Sequence, residues 1–113
     1  MNVYDKAHEL ARELSRSTEH LALMGAKKAV MEDSAAEAMI SDFSKRQREV
    51  MMLYQSGSTP SSEQVTALQS LMEIMRQNSI LNAYLEADAR EGQLLEDIQK
   101  IIIDAVSDAR WDR

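Results

Sequence analysis

At 113 residues the chain has the length of one domain, and with 44% apolar and 28% charged residues it is neither a disordered polymer nor a repetitive fibre. Three glycines and one proline are too few turn formers for a many-stranded sheet protein, and the absence of cysteine excludes disulfides, thiolate metal centres and cysteine nucleophiles. Thirteen basic against nineteen acidic residues leave a net charge of -6, which repels a phosphate backbone over most of the surface, so no direct nucleic-acid binding is expected.

The first stretch, "MNVYDKAHELARELS", carries charges throughout and lacks the apolar core of a signal peptide. No uncharged apolar run is long enough to span a bilayer, so a cytoplasmic protein without membrane contact is expected. In the same stretch Val3, Ala7, Leu10 and Leu14 recur at helical spacing, with Tyr4 and Ala11 beside them, which predicts a first amphipathic helix. "SRST" interrupts it, and Ser17 or Thr18 would cap a second helix containing Leu21, Leu23, Met24, Val30 and Met31. In "EDSAAE", Ser34 and Glu37 have the spacing of a capping box and predict the start of a third helix. Its seam runs through Ala36, Ile40, Phe43, Gln47, Val50 and Tyr54, with Gln47 as the polar exception.

"QSGSTPSSE" holds Gly57 and Pro60 and marks the one strong loop, residues 55–62, between two helical halves of a single domain spanning 1–113. Thr59 before Pro60 suits an N-cap followed by a first-turn proline, so the fourth helix is expected to begin near Pro60, with Val65, Leu68, Met72 and Met75 as its stripe, widened by Leu71 and Ile74. Asn78 would cap a last helix whose pattern runs through Ile80, Tyr84, Ala87, Leu94, Ile98, Ile101 and Ala105. A helix from near Ser79 to near Asp108 would reach on the order of 45 Å, longer than a compact monomer of this size requires, so part of it should lie on a partner or protrude. The fold class is therefore all-α: about five helices, short ones at the N-terminus and long antiparallel ones that form an oligomeric bundle.

Catalytic chemistry finds little to build on. "HELAR" places His8 and Glu9 one residue short of the zinc-protease pattern, but the second histidine position is Arg12, whose guanidinium has no lone pair to give a metal. Asp5 and His8 share a helical face, yet a di-metal site in a bundle needs further carboxylates and a second such motif, and the only other histidine, His20, has Ser17 rather than an acid three positions before it. No G-x-S-x-G elbow and no phosphate-cradling glycine loop occur. Asp88 and Glu91 fall near the seam of the last helix, as a buried acid pair or on its shoulder. The expectation is no enzyme, no cofactor and no metal.

Interaction surfaces are better represented. Lys45, Arg46 and Arg48 cluster within four residues, either converging on a partner's acidic surface or on RNA, or forming a solvated face balanced by Asp42 and Glu49. Met24, Met31, Met39, Met51, Met52, Met72 and Met75 suit an irregular core, but Met51 and Met52 project about 100° apart, so they are not expected to share one buried stripe. The apolar surface left over implies self-association. The candidate interaction residues are Lys45, Arg46, Arg48, Met51, Met52 and Tyr84. Gly25 and Gly92, each inside a helix, imply a close approach or a kink, and Trp111 either covers part of an interface or is exposed.

"NVYDKAHELARELSRS" closely resembles the N-terminus of the bacterial YlbF/YmcA family, in particular its YheA-like UPF0342 branch, and "DFSKRQREV", "NAYLEADAR" and "LLEDIQKIII" follow in the same order. The resemblance covers nearly the whole chain. It implies an all-α fold with long antiparallel helices associating as dimers or higher assemblies, and by association a role beside YlbF and YmcA, which act with YaaT as accessory factors for the endoribonuclease RNase Y and influence competence, sporulation and biofilm formation. Ser34 and Ser79 stand where relatives are expected to carry proline, Gly92 where a bulkier residue is expected, and the cysteines linked to iron–sulfur chemistry in that complex have no counterpart here.

Overall fold

Asn2 opens the first helix: its Oδ1 accepts the otherwise unpaired backbone N–H of Asp5 at 2.9 Å. In the computed structural model, which describes residues 2–110, this helix is α1 (Val3–Ser15). It is followed by α2 (Thr18–Met31), α3 (Ser34–Gln55), α4 (Ser62–Arg76) and α5 (Ser79–Val106), with a terminal 3-10 turn at Ser107–Ala109. No strand occurs among the described residues, so the all-α class read from the sequence holds. Trp111 lies outside the described residues.

Each break is made by a polar side chain that takes over backbone N–H groups. Ser17 Oγ accepts from the His20 amide at 3.1 Å and starts α2. At α3 the cap is Asp33 rather than Ser34: Asp33 Oδ1 accepts from Ala36 N at 2.9 Å, and Ser34 becomes the first helical residue. At α4 the helix begins two residues after Pro60, which is buried within the connection. Ser61 caps it, with Gln64 closing a reciprocal box at 3.1 and 2.8 Å. Gly57, at φ 84, supplies the left-handed residue that turns the chain out of α3. Asn78 Oδ1 accepts from both Ile80 and Leu81 amides, at 3.0 and 3.1 Å, and starts α5 as its position suggested. Replacing this cap by alanine (Asn78→Ala) should lower stability by about 1 kcal/mol, read as a shift of the urea midpoint at unchanged slope.

The chain divides into two compact units. In the unit Gly25–Leu85, α3 and α4 pack antiparallel about the short 56–61 connection. Val30, Ala36, Phe43, Met75 and Leu81 form its buried core, with Met39, Ile40, Leu68, Leu71, Met72, Ile80, Tyr84 and Leu85 packed around them. The α3 seam is thus buried at its N-terminal end, whereas Gln47 and Tyr54 are exposed and Val50 is half-buried. Burial follows the expected stripes of α3 and α4, because each helix turns one apolar face to the other.

The second unit joins residues up to Met24 with those from Glu86 onward. Ala87 is its one buried residue among those described, and Leu14, Leu23, Leu94 and Ile98 are half-buried. Three helical segments meet there with almost no enclosed core.

Candidate interaction surface

Of the five helices α1 separates its apolar from its polar face most sharply, yet it buries none of its residues. Val3 and Tyr4 are 82% and 78% exposed, and Leu10 is exposed as well. The C-terminal half of α5 in the same unit does likewise: Ile101 is 68% exposed, and Leu95, Ile102, Ile103 and Val106 are all classed with the exposed large apolar residues. Isolated exposed leucines are ordinary, but eight large apolar residues left open within one unit are apolar surface available to a partner.

Where the unit does close, it closes on a polar pair. The His20 Nδ1–H donates to Glu91 Oε2, joining α2 to α5 with the two side chains 34% and 21% exposed. A cleft of about 230 Å³ beside it is lined by Leu14, Ser15, Ser17, His20, Glu91, Leu94 and Leu95. Glu91 is thus occupied by a histidine 71 residues away, and Asp88, its expected companion in an acid pair, is exposed. No local spacing pattern announces a pair so distant in sequence. A double-mutant cycle with His20→Ala and Glu91→Ala should return a coupling of about 1 kcal/mol in urea unfolding, modest because both groups retain contact with water.

On α3, Lys45, Arg46, Arg48, Met51 and Met52 are exposed. Arg46 Nε donates to both carboxylate oxygens of Asp42, at 3.1 and 3.2 Å, while Lys45 and Arg48 have no ion-pair partner among the described residues. Tyr84 is placed apart from them, half-buried against the core of its unit. A groove of about 340 Å³ between α3 and α4 is floored by Phe43, Leu68 and Met72, with Gln69, Glu73 and Arg76 at its rim. Lys100, on the polar side of α5, is held above the ordinary lysine range by the hydrogen bond and charge of Asp104.

His8 is exposed on α1 and Glu9 is half-buried there, near Lys6 at 3.5 Å. Among the described residues no three histidine or acidic side chains gather as metal ligands. No helix among the described residues is long and apolar enough to cross a membrane. A Cβ at Gly25 or Gly92 would meet no atom within 4 Å, so close approach inside the chain explains neither glycine.

The family model described as control of competence regulator ComK, YlbF/YmcA, matches residues 3–107. The chain belongs to the YlbF/YmcA family. Its relatives in that family include the UPF0342 protein STH1710 of Symbiobacterium thermophilum, 39% identical over 92% of this chain and 93% of that protein. A UPF0342 protein of Caldicellulosiruptor bescii is 37% identical over 97% and 94%, and one of Streptococcus sanguinis 36% identical over 95% and 96%. Among solved structures, a protein of unknown function (DUF964) from Bacillus stearothermophilus shares the all-helical fold seen here, with a TM-score of 0.86 at 17% identity over 93% of this chain and 92% of that one. The resemblance read from "NVYDKAHELARELSRS" and the later segments is therefore a true kinship, and it brings with it no enzymatic name.

Proposed function

We propose that this YlbF/YmcA protein is a non-enzymatic, cytoplasmic interaction protein that works as a homodimer or larger oligomer. The observation that carries the reading is the uncovered apolar surface of the unit built from α1, the start of α2 and the end of α5. Val3, Tyr4, Leu10, Leu95, Ile101, Ile102, Ile103 and Val106 are all more than a third exposed there, apolar surface of the kind that a partner covers. The lack of a G-x-S-x-G elbow, a complete zinc-protease pattern, a cysteine nucleophile or a phosphate loop in the sequence supports the non-enzymatic part. Light scattering at micromolar concentration tests it: a mass twice the 12.8 kDa of the chain, or a higher multiple, is expected, and a monomer overturns it.

A second reading, a regulator of RNA turnover through an RNase Y-type complex affecting competence, sporulation or biofilm formation, is favoured by the competence-control description of the family and by the uncompensated cations Lys45 and Arg48. Charge reversal with Lys45→Glu and Arg48→Glu should abolish capture of RNA-degradation components from the native host after mild crosslinking, with helix content unchanged. Recovery of those components undiminished by the reversal removes α3 from the contact.

A further inference from the structure

The last helix carries two seams. Ala87, Glu91, Leu94 and Ile98 follow steps of four, three and four, and every one of them is buried or half-buried within the chain. One residue further on, hence about 100° around the helix, Gly92, Leu95, Gln99, Ile102 and Val106 follow steps of three, four, three and four, and every one of them is exposed. The polar side lies opposite both: Arg90 donates to Glu86 at 3.3 Å, Gln93 to Asp97 at 2.8 Å and Lys100 to Asp104 at 2.8 Å, each one turn apart. A helix with a polar ladder on one side and two adjacent heptad seams on the other is built for neighbours on two sides, and the chain supplies a neighbour on only the first. Gly92 fits the same pattern, since its cost of about 1 kcal/mol relative to alanine is offset by nothing inside the chain.

We propose that the second seam, Gly92 to Val106, is covered by the same seam of a second copy of the chain, the two α5 helices running antiparallel. This rests on the self-association reading above and specifies its surface. Charge decides the direction. With Gly92, Gln99 and Val106 at the a positions, Glu91 falls at g and Glu96 at e, so parallel helices would set Glu91 of one copy against Glu96 of the other, twice over by symmetry. Antiparallel helices pair e with e and g with g instead. The stem of Glu96 then lies along Ile103 of the second copy, and Ile98 meets Ala105. Leu95 packs against Val106 and Gln99 against Ile102, with the two-fold axis passing between Gln99 and Ile102.

Because the chain lacks cysteine, single introduced thiols report this geometry without background. In the full-length protein, Gln99→Cys, near the axis, should link to itself through a short bifunctional maleimide. Leu95→Cys and Val106→Cys should each fail to self-link, their copies being about 16 Å apart along the axis, yet should link to one another when the two variants are mixed. Asp97→Cys, on the polar side, is the negative control, and circular dichroism confirms that each variant keeps its helices. Self-linking of Leu95→Cys as efficient as that of Gln99→Cys would make the pairing parallel and overturn the proposal. Absence of any link from this seam in a protein that scatters as a dimer would also overturn it while leaving self-association intact. A monomeric mass removes both.

Discussion

Leu81→Ala should lower stability by about 3 kcal/mol and the thermal midpoint by roughly 10 °C. Leu81 has no exposed surface and sits in the first turn of α5, where its amide is also one of the two held by Asn78. Truncation removes the side chain from contact with the cluster of Val30, Ala36, Phe43 and Met75 and leaves a cavity that helices tied to one another at both ends of the turn cannot close. A total stability of about 5–15 kcal/mol is usual for a domain, so this single change consumes a large fraction of it. Ile74→Ala, also on an apolar stripe but 53% exposed, should fall within about 0.5 kcal/mol of the parent protein. Equal losses at the two positions in urea unfolding would mean that burial within one chain does not set the stability of this unit.

The second large effect is expected at a residue that contributes little to the isolated chain. Ile102→Glu places a carboxylate in the middle of the exposed seam of α5. If a second copy covers that seam, the charge must be stripped of water without a partner, a penalty of about 3–5 kcal/mol, which is a loss of roughly a hundred- to several-thousandfold in affinity. Sedimentation at a fixed low-micromolar concentration should then show monomers, with helix content retained because the site is already solvent-facing within the chain. Ile101→Glu lies on the continuation of the first seam and should have the smaller effect of the two. An oligomer unmoved by Ile102→Glu would assign the contact to another face.

How much of this was legible in the sequence differs from helix to helix. The five helices, the break at Ser17 and the cap at Asn78 follow from apolar spacing and from side chains that compete locally for backbone N–H groups, and those forces act within four residues. The same locality produced the two displaced starts. Asp33 and Ser34 are adjacent cap formers, and the Ser34–Glu37 spacing pointed to the wrong one. Thr59–Pro60 outweighed the Ser61–Gln64 box even though the box was equally visible. Burial was legible on α3 and α4, which face one another, and misleading on α1, where a sharp stripe found no cover. The pairing of Glu91 with His20 was out of reach, because nothing in one sequence links positions 71 residues apart. Of the candidate interaction residues, Tyr84 sits against a core while Met51 and Met52 face solvent, because at that end of α3 the half-buried side is that of Val50 and Leu53.

The division of the chain into an inner unit, Gly25–Leu85, and one assembled from both ends has a consequence for the order of events during synthesis. The α3–α4 hairpin closes a connection of only a few residues and can form while the ribosome is still translating α5. The stripe of α1 is made first and served last: Leu14 and His20 must wait for Glu91 and Leu94, more than seventy residues downstream. Throughout that interval the nascent chain displays Val3, Tyr4 and Leu10 to whatever is nearby, so a premature encounter between two growing chains, or a chaperone at the exit tunnel, would meet α1 before its own C-terminal half does.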